Sequence, residues 1–231
     1  MNPPPQFDRL ARTYRWMELF TFGPWLMWTR RTFLPRMGEA RQALVLGDGD
    51  GRFVAELLQA NPTVMVDAVD ASGAMLRELV RRAGKDGDRV RIHQADARMW
   101  MQADASAGHD LIATHFFLDC LTDDEVLALA RRVFERATPG ALWMVSEFAL
   151  PQGRLAGAMA RGVIALLYWA FGWLTGLEVS RLPVYGIPLK ASGFDRIERR
   201  ARLGGLLVAE LWRKRTGGTE ARIDGVDLRG C

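Results

Sequence analysis

The sequence predicts an α/β fold: a three-layer sandwich whose seven-stranded sheet is mostly parallel, with the last strand antiparallel. Three observations support this. Short apolar runs alternate with helical patterns from Ala43 to Phe148, which implies a parallel sheet with helices on both faces. Turn residues punctuate these runs at regular intervals. Two further β-type runs near the C-terminus, joined by Gly204-Gly205, read as a closing hairpin.

Each element has its own signal. Phe7 to about Met37 reads as one or two helices, interrupted at Gly23-Pro24. Strands are expected at Ala43–Leu46, Val64–Val69, Arg89–His93, Asp110–Thr114 and Ala141–Phe148, and helices at Arg52–Gln59 and Ala74–Arg82. A helix over Thr122–Ala137 opens with capping-box spacing, Thr122 to Glu125, and is expected to end at Pro139-Gly140. Leu155 to Leu189 is aromatic-rich and reads as helix and loop; Asp195–Leu203 and Leu206–Trp212 are the last two strands. The expected organisation is an N-terminal helical cap (1–40), a main domain (41–213) with a helical insert at about 152–190, and a flexible tail (214–231).

The chain has 231 residues, enough for one such domain, and its net charge is +4, from 31 basic and 27 acidic residues. That is far from the dense basic face of a dedicated nucleic-acid binder, so no nucleic-acid partner is expected. Two cysteines, Cys120 and Cys231, lie far apart without metal-type spacing, which fits a reducing cytoplasm. The N-terminus lacks the order of a signal peptide. The charge-free run Gly162–Leu177 is shorter than the roughly 20 residues needed to span a bilayer, so it reads as a buried helix or an interfacial one. The expected location is the cytoplasm, with peripheral membrane contact open.

In such sheets ligands bind beyond the carboxyl ends of the strands, so the chemistry should follow the strands. Gly47, Gly49 and Gly51 come directly after the first strand, in "QALVLGDGDGRFVAELLQ". Glycine there permits left-handed dihedrals and close approach of a ligand to the backbone, and the helix opening near Gly51 directs free N–H groups at the same point. A purely structural turn is the alternative. The dinucleotide pattern G-x-G-x-x-G fails at Arg52, and no Gly-Lys-Ser/Thr of a phosphate loop follows. Asp70 ends the second strand, where a carboxylate can accept hydrogen bonds from both ribose hydroxyls or stabilise a helix N-terminus. Asp96 ends the third strand, where it can accept from an exocyclic adenine amine. Asp67, in mid-strand, reads as structural.

The glycine loop, Asp70, Asp96, "HDLIATHFFLDCL" and "ARRVFERATPGALWMVSEF" together resemble the class I S-adenosylmethionine-dependent methyltransferases, with a likeness to the quinone-biosynthesis C-methyltransferases among small-molecule enzymes. The resemblance covers Ala43 to Phe148 well and reaches loosely to Trp212. It implies a Rossmann-like sheet and S-adenosyl-L-methionine as cofactor. Gly47, Asp48, Gly49 and Gly51 match the loop that holds the methionine part. Asp70 matches the ribose-binding acid, with Ala71 after it under the adenine, and Met75 is a further expected cofactor-binding residue. Asp96 and Ala97 match the acid and small residue near the adenine amine. Thr114 and His115 match the pair that faces the reacting centre, and Thr138-Pro139-Gly140 stands where the family has its Pro-Gly turn. Tyr14 resembles the aromatic residue that an N-terminal helix folds over the cofactor. Val45 departs from the pattern, standing where the family has an acid two residues before the first glycine.

The implied activity is methyl transfer to a small, apolar or aromatic acceptor by in-line displacement at the sulfonium. His115 and Asp119 follow the fourth strand and are the candidate general bases; Glu147, ending the fifth, either faces the acceptor or makes a structural hydrogen bond. Phe20, Phe22, Trp25, Trp28, Tyr168, Trp169, Phe171, Trp173 and Tyr185 suggest an apolar or aromatic acceptor, with a membrane-derived one left open. No Asp, Glu and His cluster suggests a metal, and the N-P-P-Y type loop is replaced by "ATHFFL". Two other readings stay open: a cofactor-binding protein without catalysis, kept in play by Val45, and a NAD-dependent oxidoreductase, disfavoured by Arg52 and Asp96.

Overall fold

The computed structural model describes residues 23–100, 108–150 and 184–216. Most of the N-terminal cap, with Tyr14, Trp16, Phe20 and Phe22, lies outside the described residues, as do the Gly162–Leu177 run with its aromatics and the end of the tail. Among the described residues the elements are α1 (Gly23–Arg31), β1 (Gln42–Leu46), α2 (Arg52–Ala60), β2 (Met65–Asp70), α3 (Gly73–Ala83), β3 (Val90–Gln94), β4 (His109–His115), α4 (Asp123–Arg136), β5 (Ala137–Phe148), α5 (Gly186–Ala191), β6 (Phe194–Arg202) and β7 (Leu207–Lys214).

The seven strands form one sheet in the order β3-β2-β1-β4-β5-β7-β6. β1 to β5 pair in parallel, while β7 runs antiparallel to both β5 and β6. This is the expected architecture, including the antiparallel last strand. Two cores flank the sheet. Phe53, Val54, Leu57 and Leu58 of α2 and Leu79 of α3 pack on one face. Val126, Leu129, Ala130 and Val133 of α4, with Leu189 of α5, pack on the other against Trp143 and Trp212. Residues 3–4 apart on each helix form these stripes, as burial of a single helix face requires. The order reverses between β1 and β4, so the crevice of the parallel half opens beyond the ends of β1, β2 and β4.

The Thr122 capping box forms in full: its hydroxyl accepts from the Glu125 N–H, and the Glu125 carboxylate accepts from the Thr122 N–H. The other end of α4 corrects the sequence expectation. The helix stops at Arg136, and Ala137 already pairs with His109 in the sheet. Pairing resumes only at Leu142 with Leu111, so residues 138–140 form a bulge within β5, with Gly140 at φ 76°. Thr138-Pro139-Gly140 is thus an interruption of a strand rather than a link before it. Lys214, assigned to the tail, is still in β7; its ammonium donates to the carbonyls of Phe134 and Ala137.

Asp67, expected to be structural, holds three strands together. His93 of β3 and His109 of β4 each bring Nε2 to one of its oxygens, at 2.9 and 3.0 Å, and Arg91 donates from 2.8 Å. The carboxylate only accepts, so both imidazoles carry their proton on Nε2. Burial alone would push the Asp67 carboxyl up, but these hydrogen bonds and the Arg91 charge outweigh it and bring the carboxyl down to about 2.

A folded-state value below the ordinary 3.8 gives stability that is present above that pH and lost as pH falls towards about 2. Asp67→Asn should therefore cost about 2 kcal/mol at neutral pH by urea unfolding. The gap from wild type should close in acid; a gap that is the same at neutral pH and in strong acid would remove the electrostatic explanation.

Candidate active site

The site is assembled from the exits of β1, β2 and β3. Leaving β1, the chain passes through three left-handed glycines: Gly47 at φ 68°, Gly49 at 61° and Gly51 at 77°. They serve different ends. A Cβ on Gly47 would lie 2.5 Å from the Phe117 ring, and one on Gly51 would lie 2.5 Å from Leu79 of α3. Both glycines therefore permit close packing. At Gly49, among the described residues, only Met75 Sδ comes within 4 Å, at 3.9 Å, so these residues leave its outer face open to a ligand.

Asp48 is 8 % exposed, and its carboxylate accepts from the backbone N–H groups of Phe53 (3.4 Å) and Val54 (3.0 Å) at the start of α2. Burial pushes its carboxyl up to about 7, against the pull of the Arg30 charge and these N–H groups. Asp48 thus fixes the loop from beneath. Asp50 anchors it from outside, through Arg82 of α3 at 2.8 Å and Arg52 at 3.1 Å.

Asp70 meets the loop directly: Gly49 N–H donates to its Oδ2 at 3.3 Å, and Ser72 N–H to its Oδ1 at 2.8 Å. Ala71, exposed, leads into α3, where Ser72 caps the helix by accepting from Met75 N–H. Ala95 N–H donates to the Asp70 carbonyl at 3.1 Å, which places Asp96 at the adjoining strand end, with Ala97 buried behind it. The Asp96 carboxylate is already gripped by the Arg98 guanidinium, at 2.6 Å from Nη2 to Oδ2. Burial would raise Asp96, but Arg98 outweighs it and holds the carboxyl below its ordinary range. Arg98 also reaches Glu125 of α4, at 3.0 Å.

Thr114 and His115 point to opposite faces of β4. Thr114 is fully buried and accepts from the Trp143 indole N–H at 3.0 Å, so its side chain belongs to the core. His115 enters the other face, its ring 4.3 Å from that of Phe53. Its Nδ1 lies 2.8 Å from Ser146 Oγ, and that hydroxyl donates to the Thr29 carbonyl. Nδ1 therefore carries the proton, and Nε2 is buried without a hydrogen-bond partner among the described residues. Burial, then the Arg30 charge, holds the imidazole well below its ordinary range, so it is neutral. The neighbours Thr29, Arg30 and Ser146 escaped the sequence reading because the contacts join distant segments; the outward or inward sense of Thr114 and His115 follows from strand alternation with Ile112 and Ala113.

Asp119 sits in the turn Leu118–Cys120 after β4, and burial pushes its carboxyl up to about 6. Glu147, at the end of β5, is fully buried; its Oε1 accepts from Phe117 N–H at 3.2 Å and Leu118 N–H at 2.8 Å. The chain enters this turn through Phe116, at a left-handed φ of 55°, an outlier for a bulky residue. Among the described residues no group of three His, Cys, Asp or Glu side chains is placed to hold a metal ion, and no helix is long and apolar enough to cross a membrane.

Residues 43–140 match the family model described as a methyltransferase domain. The matched residues run from β1 to the β5 bulge and contain the glycine loop, Asp70, Asp96, His115 and Asp119. Comparison with curated proteins finds no match. Solved structures share the fold at low identity. An O-methyltransferase family protein from Burkholderia thailandensis is similar at TM-score 0.70 and 14 % identity, over 92 % of this chain and 62 % of that one. The N,N-8-amino-8-demethyl-D-riboflavin dimethyltransferase from Streptomyces davawensis is similar at TM-score 0.63 and 18 % identity, over 91 % and 62 %. Human N-acetylserotonin methyltransferase, solved with S-adenosylmethionine, is similar at TM-score 0.58 and 18 % identity, over 90 % and 55 %. The chain thus spans about three-fifths of the length of these structures.

The residues present fit S-adenosyl-L-methionine: an open left-handed Gly49, a carboxylate hydrogen-bonded to that glycine, and a second acid at the next strand end. The domain's glycines should separate in experiment. Gly51→Ala should cost about 2–4 kcal/mol in urea unfolding, from left-handed strain and overpacking against Leu79. Gly49→Ala should stay within about 2 kcal/mol of wild type yet lose affinity for S-adenosylhomocysteine by calorimetry. Equal stability losses in the two variants would refute this division.

Proposed function

We propose that the protein transfers a methyl group from S-adenosyl-L-methionine to a small, apolar or aromatic acceptor. The observation that carries this reading is the Gly49 N–H to Asp70 hydrogen bond, which brings the open backbone of the loop and an acid of the neighbouring strand to one point. When bound, the cofactor supplies a methyl group already activated by its positive sulfur. The protein's own contribution is orientation and exclusion of water, and orientation can supply several kcal/mol of the barrier.

In this reading Asp70 accepts from the ribose hydroxyls, and Asp96, steadied by Arg98, accepts from the adenine amine. Ala71 and Ala97 leave room for the ring, Gly47 and Gly51 shape the loop, Asp48 holds it against α2, and Met75 borders Gly49. Thr114 contributes through the core beneath the site. Of the two base candidates, Asp119 suits an acceptor that must lose a proton: a carboxylate raised to about 6 is ionised at neutral pH and still accepts a proton readily. His115 is the weaker base because its imidazolium is disfavoured by burial and by Arg30. Trp25 (44 % exposed) and Tyr185 support an apolar acceptor, and a lipophilic one would bring contact with a membrane surface to a cytoplasmic enzyme.

A second reading is binding without turnover. Val45 is buried in β1, and Asp48, the nearest acid of the loop, is turned into α2.

The test is transfer of a tritiated methyl group to a panel of hydroxyarenes, quinols and amines. The proposal expects a labelled product whose rate of formation rises with pH through about 6 and levels off, since Asp119 acts as the carboxylate. Asp119→Asn should slow transfer by about 100-fold or more. Tight cofactor binding with no product across the panel would favour the second reading. Separately, Asp70→Ala should weaken S-adenosylhomocysteine about 10- to 150-fold by calorimetry, the loss of one charge-assisted contact; unchanged affinity would count against the cofactor assignment.

A further inference from the structure

Glu147 is a buried acid with only one of its two oxygens partnered among the described residues. Its side chain is fully buried at the C-terminal end of β5, on the face that carries Trp143 and Val145. One oxygen, Oε1, is satisfied twice, by Phe117 and Leu118 N–H. The other, Oε2, is buried with no hydrogen-bond partner among the described residues. An ionised carboxylate with one oxygen left dry and unpaired is costly, by more than a neutral group would be. The surroundings add to that cost. Asp119 lies on the turn that Glu147 holds, the Cys120 thiol donates to Asp119 Oδ1 at 3.5 Å, and the Tyr185 phenol feels the Glu147 charge. The groups facing it are thus acids and neutral donors. Burial first, then the Asp119 charge, pushes the Glu147 carboxyl well above its ordinary range.

The location matters as much as the protonation. In a parallel sheet the ligand crevice lies beyond the carboxyl ends of the strands. Glu147 is at such an end, beside the turn that bears Asp119 and next to Tyr185 at the start of the segment leading into α5. Phe116, at a left-handed φ of 55°, immediately precedes the two N–H groups that occupy Oε1.

We propose that Glu147 is an acceptor-binding residue: as a neutral carboxylic acid it donates a hydrogen bond from Oε2 to an oxygen of the methyl acceptor, which selects an oxygen-bearing aromatic, a phenol or quinol, over a plain hydrocarbon ring. This rests on the methyltransferase reading above and names the substrate class of the same site. Paired with a neutral donor at Glu147 and an ionised Asp119, the acceptor would be held by one oxygen while the adjacent base takes the proton that methylation displaces.

Infrared difference spectroscopy tests this on the full chain loaded with S-adenosylhomocysteine. Because Asp48 is partly protonated at neutral pH, the proposal expects a protonated-carboxyl component in addition to that of Asp48, lost in Glu147→Gln and shifted when 2-naphthol is added. A protonated-carboxyl signal identical in wild type and Glu147→Gln, or one indifferent to bound 2-naphthol, overturns it. In calorimetry 2-naphthol should bind about tenfold more tightly than naphthalene. Glu147→Met should remove that preference, and Glu147→Gln, which keeps a donor, should retain it. A preference unaltered by Glu147→Met would equally overturn the proposal. Glu147→Gln is nearly isosteric, and S-adenosylhomocysteine binding, measured separately in each variant, confirms that it folds; loss of cofactor binding in the wild type would indict the underlying reading and not this residue.

Discussion

The site depends on a chain that must turn left-handed three times in five residues. Only glycine makes this inexpensive, and two of the three glycines are also required by what packs against them: Phe117 against Gly47 and Leu79 against Gly51. The turn is then pinned from both sides. Asp48 is drawn under it by the first free N–H groups of α2, and Asp50 is tied outward to Arg82. With both ends fixed, Gly49 has little freedom, and its N–H finds Asp70 on the next strand. A single backbone requirement therefore sets the loop, the helix that follows and the acid that faces them.

The two faces of the sheet divide the chemistry. On the face of α2 and α3, His115, Ser146 and Thr29 form a closed neutral chain against Phe53, suited to holding α1 on the sheet ends. On the face of α4, Asp119 and Glu147 form an acidic pair under a strained turn. A neutral, low-basicity histidine and a carboxyl raised to about 6 invert the roles that residue type alone suggests, because burial penalises the charged form of each. The carboxylate becomes the better proton acceptor.

Much of this was legible in the sequence. Alternation locates six of the seven strands within two residues and the end of β5, whose start lies four residues earlier than expected, and the spacing from Thr122 to Glu125 gives a cap that forms in full. The Pro139-Gly140 signal was read as a helix stop, although the helix ends earlier and the two residues make a bulge, since strand pairing with β4 resumes beyond them. Asp67 looked structural and is, but its partners are 24 to 42 residues away and no local pattern names them. Asp48 looked like a ligand contact; its true orientation depends on dihedrals at Gly47 and Gly49 that sequence does not display. The roles of Glu147 and Arg30 arise only where distant strands and helices meet.

The central claim is that the Gly49 backbone and the Asp70 carboxylate jointly hold an adenosyl group. The most direct measurement is a crystal structure with S-adenosylhomocysteine. The account predicts ribose oxygens on Asp70, adenine beside Ala71 and Asp96, and the sulfur directed towards the ends of β4 and β5. Adenosine bound elsewhere, or bound here with Asp70 turned away from the ribose, would contradict it.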